Sequence, residues 1–290
     1  MWWLWALIGV GALGLVYSAG YEVRAFTVRR VTLPLLPPAS RPLRILHLSD
    51  LHLTPRQGRK ARWLRSLIAE RPDLVIVTGD FIAHAESVPA VLAALEPLRA
   101  YPGAFVFGSN DYYGPRLKNP VRYLLPDDGT RIHGADLPWQ DLRDALVASG
   151  WHDLTHARLT DVVAGMDIEL RGVDDPQLER DRYDEVRGPV GAAAVTIGVT
   201  HAPYRRVLDA MEADGIELIL AGHTHGGQLC IPGFGALVTN CDLDRRRAKG
   251  LHRHGRAWLH VSAGCGTNPY TPVRFACRPE ATLLTLMPGY

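Results

Sequence analysis

Five short stretches of the chain end in side chains of the kind that hold divalent cations. They read SDLH with Asp50 and His52, TGD with Asp80, GSND with Ser109, Asn110 and Asp111, THAP with His201, and GHTH with His223 and His225. Each closes an apolar run of strand length, at about 43–49, 73–79, 104–108, 193–200 and 216–221. In α/β sheets, ligands gather in the crevice beyond the carboxyl ends of the strands, so five such ends delivering Asp, His or Asn form a constellation. Mixed imidazole and carboxylate suits zinc, iron or manganese, and the set contains no cysteine. Asp50, His52 and His225 with a bridging Asp80 would hold one divalent ion; Asp80, His201 and His223 would hold a second. Gly79 and Gly222 precede ligands and let the backbone approach closely. Taken singly, each stretch has a plainer reading. D-x-H and T-G-D occur as ordinary capped turns and loops, His201 could be a packing residue, and FGSNDYYG could turn a corner. The conjunction points to metal.

The elements that must position these residues alternate. Apolar residues Trp63, Leu64, Leu67 and Ile68 recur at helical spacing within 56–70, and 88–100 also reads as a helix. Residues 203–213 read as a third helix, with proline at its first turn. Strand and helix in turn predict an α/β layered domain with crossover connections. The pattern breaks over 112–160, read as an insertion, and short β-like runs return at 257–261 and 281–286. Residues 23–42 are rich in proline and read as a connector, which leaves 43–290 as the domain.

The N-terminus differs from the rest. Eighteen uncharged residues, Trp2 to Ala19, would span about 27 Å as a helix, close to the roughly 30 Å of a hydrocarbon core. Trp2, Trp3 and Trp5 at one end and Tyr17 and Tyr21 at the other match the two interfacial belts. Residues 1–22 are therefore predicted to be a single transmembrane anchor. The rival is a cleaved signal peptide ending at Ser18-Ala19-Gly20, which lacks the expected positive n-region. Arg24, Arg29 and Arg30 follow the helix, and positive-inside logic would keep the following domain in the cytoplasm.

Composition narrows the partners. The chain has 290 residues, 21% of them charged, and a net charge of +2, which gives no electrostatic case for nucleic acid. Cys230, Cys241, Cys265 and Cys277 form no C-x-x-C pair, so scattered reduced thiols are the default, although Cys241 and Cys265 could pair if the domain faces an oxidising compartment. Arg245, Arg246, Arg247 and Lys249 would meet a phosphate or anionic headgroups, or remain a solvated loop.

In this order, HLSDLH, TGD, GSND, VTHAP and LAGHTHGGQ resemble the five signature blocks of calcineurin-like metallophosphoesterases. The resemblance is nearest to the membrane-anchored bacterial branch with one N-terminal helix, and it covers about 43–286. It implies a four-layer α/β/β/α sandwich of the metallophosphoesterase type, with two central sheets flanked by helices. It also implies two divalent metal ions (Mn, Fe or Zn), with Asp50, His52, Asp80 and His225 matching the first site and Asp80 bridging. His201 and His223 match the second. The implied reaction is hydrolysis of phosphate mono- or diesters by a metal-activated hydroxide, with Asp80, Asn110 and His223 as catalytic residues.

The third block departs from the family's usual G-N-H-D or G-N-H-E. Without a gap, Ser109 takes the Asn place and Asn110 the His place. Shifted by one, Asn110 supplies the amide ligand of the second metal and Asp111 takes the His place. Either way the usual histidine is missing, and loss of a general acid costs about 10²–10⁴ in rate for a poor leaving group. His84, His254 and His260 are the other imidazoles that could stand in. The leading expectation is a membrane-tethered phosphoesterase, acting on a lipid-linked phosphate ester if the anchor sets its substrate. The alternative is a catalytically weak metal-binding recognition module on the same scaffold. Neither reading calls for nucleic acid.

Overall fold

Alternation along the first strands buries apolar side chains on both faces, so each sheet must be covered twice. The computed structural model of the chain describes residues 1–116 and 133–289. Strands β1 (Thr27–Leu36), β2 (Leu43–Leu48), β3 (Leu74–Thr78), β4 (Gly103–Val106) and β5 (His152–Asp153) join the last strand, β14 (Glu280–Pro288), in one sheet. Its order is β1-β14-β2-β3-β4-β5, and β2 to β5 run parallel. The second sheet contains β6 (Ala157–Val163), β7 (Met166–Gly172), β8 (Val195–Val199), β9 (Leu218–Ala221), β12 (Gly250–His254) and β13 (Ala257–Val261). Its order is β12-β13-β9-β8-β7-β6, with β7, β8, β9 and β13 parallel. Between them in the chain, β10 (Cys230–Ile231) and β11 (Gly235–Ala236) form a small hairpin.

The two sheets pack face to face. Leu43, Ile45, Leu74 and Ile76 of the first meet Leu170, Ile197, Val199 and Leu218 of the second in one buried cluster. The opposite residues of the first sheet, Leu46, Leu48, Val75 and Val77, pack under helices α2 (Gly58–Ser66), α3 (Val88–Leu95) and α5 (Trp139–Ala148). Beyond the second sheet, Val207, Leu208 and Met211 of α6 (Arg205–Ala213) cover Ile219 and Leu259. The fold is thus an α/β/β/α sandwich, as expected. A single helical turn, α4 (Ser109–Tyr112), completes the set just after β4.

Three readings need revision or restriction. The stretch 23–42, read as a connector, contributes the ten-residue strand β1, paired in parallel with β14. Proline misled here: Pro34 sits where the register shifts on an edge strand, a place where a sheet tolerates it. Within 112–160, helix α5 buries Leu142 and Leu146 in the core, and His152–Asp153 adds a strand to the first sheet. Residues 117–132 of that stretch lie outside the described residues. Of the two cysteine readings the reduced one holds: Cys265 is buried with its thiol on the Glu280 carbonyl at 3.2 Å, and it makes no bridge to Cys241.

Helix α1 (Trp2–Val16) buries none of its side chains against the protein. It continues through a wider turn, Tyr17–Tyr21, and a short 3-10 segment, Glu22–Arg24. The whole, Trp2–Arg24, has 23 residues and is long and apolar enough to cross a membrane. Its end is keyed into the domain. Glu22 is buried and accepts N–H groups from Ala276 and Cys277 at 3.1 and 2.6 Å, and the Ser18 carbonyl accepts from Arg274 N–H at 3.3 Å.

Candidate metal centre

The loops after β2 and β3 are laced together before any ligand is considered. Asp50 N–H donates to Gly79 O at 2.9 Å, His52 N–H to Asp80 O at 2.8 Å, and Leu53 N–H to Phe81 O at 2.9 Å. Within this lacing, Asp50, His52, Asp80, His223 and His225 all adopt left-handed backbone, with φ between 40° and 69°. Such a conformation costs a non-glycine residue on the order of 1–3 kcal/mol, and it persists only where the surroundings over-determine it. Five cases converging on one place mark a functional constraint. Gly79 has φ +83°, and a Cβ there would lie 2.8 Å from His201 Nδ1; at Gly222 a Cβ would lie 2.6 Å from Asp50 Oδ2. A side chain at either position would collide with groups that hold the ligands, Gly108 N beside Gly79 and Ser49 Oγ beside Gly222.

One ligand atom each from Asp50, His52, Asp80 and His225 lies within 4.8 Å of the others. His52 Nε2 is 3.2 Å from His225 Nε2 and 3.4 Å from Asp80 Oδ2, and His225 Nε2 is 3.4 Å from Asp50 Oδ1. His201 also approaches this carboxylate oxygen, with Nε2 3.5 Å from Asp80 Oδ2. The His223 ring stands edge-on to His201, with 5.2 Å between centroids. Asp80 Oδ2 therefore has imidazole nitrogens of both His52 and His201 within 3.5 Å.

Backbone carbonyls select the tautomers. His201 Nδ1–H donates to Thr78 O at 2.6 Å and His225 Nδ1–H to Gly266 O at 3.1 Å, which leaves each Nε2 lone pair facing the centre. His223 is reversed: its Nε2–H donates to Asn240 O at 3.1 Å, which leaves Nδ1 as the free acceptor. Ser49 Oγ–H at 2.6 Å and His223 N–H at 3.1 Å fix Asp50.

These donors fit divalent cations. His201 Nε2 is buried without a hydrogen-bond partner, as a ligand atom awaiting an ion would be. Burial holds His52 well below the usual imidazole range and pulls His223 and His225 down to about 3, so all three are neutral and able to ligate. His201 goes the other way. Burial opposes its charge, yet Asp80, Asp175 and Asp50 push it up to about 9. That cluster of buried carboxylates calls for positive charge in its midst.

The third block settles into one geometry. Asn110 donates its backbone N–H to Asp80 Oδ1 at 2.9 Å and its amide to Asp80 Oδ2 at 2.7 Å. Ser109 turns away and donates to Gln177 Oε1 at 3.1 Å. The Asp111 carboxylate is buried and accepts N–H groups from Asp80, Phe81, Ile82 and Gly108 at 2.7–3.2 Å. It braces the loops and has no oxygen left to serve a substrate. The other imidazoles are engaged elsewhere. His84 is exposed and accepts from Glu86 N–H, His254 pairs with Asp209 at 2.7 Å, and His260 is buried against His47.

Sequence reasoning missed several supports. Arg274, fully buried, donates to Ala263 O and Gly266 O at 2.7 Å and so holds the carbonyl that orients His225. Asp175 is buried near His201 with Oδ2 unpartnered. Ser49, inside the SDLH block, was the one support with a local signal. Arg274 and Asp175 had none, being far in sequence from the ligands they serve.

A family model described as calcineurin-like phosphoesterase matches residues 43–227. The uncharacterized metallophosphoesterase YkoQ of Bacillus subtilis is 29% identical over 84% of this chain and 84% of its own length. The transmembrane protein with metallophosphoesterase domain of Bos taurus is 28% identical over 96% of this chain, which spans 60% of that protein. Phosphodiesterase YaeI of Escherichia coli is 25% identical over 85% of this chain and 83% of its own.

Proposed function

This chain belongs to the calcineurin-like phosphoesterase family, and from that premise we propose that it is a single-pass membrane protein hydrolysing phosphate esters at a centre for two divalent metal ions. That it is a metal-dependent phosphoesterase follows from the family and the Asp/His cluster. The pairing of metals rests on one observation above the rest, the Asp80 Oδ2 atom common to the His52 and His201 clusters.

Asp50, His52, Asp80 and His225 would hold the first ion; Asp80, His201, His223 and Asn110 would hold the second. Bound there, the pair would supply the Lewis acidity that phosphoryl transfer to water requires. The chain's own contribution is positioning. Carbonyls of Thr78, Gly266 and Asn240 fix the three imidazoles, Ser49 fixes Asp50, and Asp111 fixes the loop that carries Asp80. No third-block imidazole is aimed at a departing oxygen, which favours esters whose leaving group departs without a proton.

Membrane attachment is supported by the exposed apolar helix, about 34 Å long as 23 helical residues. Its bonds to the domain through Glu22 and Ser18 favour a retained anchor over a cleaved signal. A phosphate ester presented at the bilayer surface is then the natural substrate class. The test is turnover of an activated phosphodiester by the full chain in detergent with added Mn²⁺, against Asp80→Asn. Loss of activity in the variant supports the reading; full metal occupancy without turnover in the native chain favours the recognition module.

A further inference from the structure

We propose that the β10–β11 hairpin and the loop beside it form a docking face that seats the metal centre against an anionic phospholipid bilayer. This deepens the preceding reading and rests on α1 being a membrane anchor.

The large apolar side chains exposed outside the anchor segment are unevenly distributed. Among the described residues, Leu229, Ile231, Phe234, Leu237, Tyr270 and Phe275 belong to the hairpin region and its neighbouring loop, whereas Ile68, Val147 and Val162 lie singly on other elements. Single exposed apolar residues need no explanation, but a contiguous group does. Contiguity here is covalent and hydrogen-bonded. Leu229 bridges to Phe275, Cys230 N–H donates to Phe275 O at 2.8 Å, and Gln228 Nε2 holds Thr271 O at 2.9 Å. The patch runs directly into the anchor: the Phe275 ring meets Tyr17 edge-on with 6.2 Å between centroids, and Tyr17 lies 5.4 Å from Tyr21. A surface joined to the end of a spanning helix at its aromatic belt stands at headgroup depth.

Charge flanks the apolar patch with the sign an anionic surface requires. The Arg245 guanidinium sits 4.5 Å over the Phe234 ring, and exposed Arg246 follows it. Tyr17, Glu22, Arg29, Lys249, Arg278 and Glu280 line a cleft of about 450 Å³ between the helix end and the domain. Its carboxylates are already engaged, Glu22 by two backbone N–H groups and Glu280 by Arg29 at 2.9 Å. Arg278 is exposed and half-buried Lys249 rests its Nζ on Cys277 Sγ at 3.6 Å; among the described residues neither has a carboxylate partner, so both could serve a headgroup phosphate. The face also adjoins the centre. Leu229 follows His225 by four residues, across a turn that needs Gly226 and Gly227 at φ +63° and +85°. Docking through this face would bring the His225 side of the centre to the bilayer surface.

The test uses the full chain with Cys241→Ser, the other thiols being buried. Nitroxides are placed at Ile231→Cys or Phe234→Cys, with Leu13→Cys reporting the anchor and Val162→Cys reporting water. The protein is reconstituted in vesicles of equal parts phosphatidylcholine and phosphatidylglycerol, and collision rates with oxygen and with a water-soluble nickel chelate are compared. Labels at 231 and 234 should favour oxygen severalfold over the label at 162, and less so in pure phosphatidylcholine. Unchanged turnover of a soluble phosphodiester verifies that the labelled variants fold. If 231 and 234 match 162 while 13 is embedded, the anchor stands and the docking face is refuted. If 13 is also in water, the anchor reading fails and the face with it. Equal immersion in both lipids overturns the anionic preference. Spin–spin broadening at 234 that vanishes on dilution with unlabelled protein would mean a second copy covers the face, and would overturn the proposal.

Discussion

Asn110 grips both oxygens of Asp80, with its backbone N–H on Oδ1 and its side-chain amide on Oδ2. That places an amide beside the carboxylate proposed to bridge the metals, while its neighbours Ser109 and Asp111 face elsewhere. Asn110→Ala should lower kcat/KM by about 10- to 100-fold and weaken the second ion, because it removes a proposed ligand that also steadies Asp80. Ser109→Ala should change activity little. Steady-state rates with a metal titration check both.

Asp111 predicts a different loss. Its carboxylate serves four buried N–H groups, each costing about 1–3 kcal/mol if left unsatisfied. Asp111→Ala should therefore lower the melting temperature markedly even in the metal-free protein. A variant with native stability but poor turnover would instead cast Asp111 as a chemical participant.

The missing imidazole has a kinetic signature. Across a series of aryl and alkyl phosphodiesters, rates should fall steeply as the leaving group becomes more basic. The deficit for the poorest should be on the order of 10²–10⁴ relative to a site with a general acid. A flat dependence would reveal a proton donor outside the residues named here.

The buried pair His47 and His260, with 2.9 Å between Nδ1 atoms, makes stability depend on acid. Burial, with the His260 ring beside it, holds His47 well below the usual range, and burial with Arg29 and His252 nearby holds His260 at about 3. Both folded-state values lie below the unfolded value near 6.5, so stability is complete above about pH 6.5 and is lost as pH falls toward 3. Each histidine contributes a slope of up to about 1.4 kcal/mol per pH unit. His260→Gln should make the melting temperature fall less between about pH 7 and pH 5 than it does in the native chain. Equal slopes would exclude the pair as the titrating element.

How much of this was legible in the sequence depended on distance along the chain. Asp50, His52, Asp80, His201, His223 and His225 announced themselves because each closes a local apolar run and strand ends converge in this fold. The layers were legible for the same reason, since an unbroken run of strand length, buried throughout in 74–78 and 195–199, is a local property. Strand β1 was not, because Pro34 hides an edge strand whose partner β14 lies about 250 residues away. Arg274 and Asp175 were invisible too: their roles exist only once distant loops meet at His225 and His201. The GSND block was ambiguous by one position, and only three-dimensional contact with Asp80 separates Asn110 from Ser109.

Metal stoichiometry of the full chain, purified in detergent and loaded with Mn²⁺, tests the central claim most directly. If Asp80 joins two sites, elemental analysis should find two ions per native chain, one after His52→Ala, one after His201→Ala, and fewer than one after Asp80→Ala. A single ion in the native chain, unaffected by His201→Ala, would contradict a shared dinuclear centre.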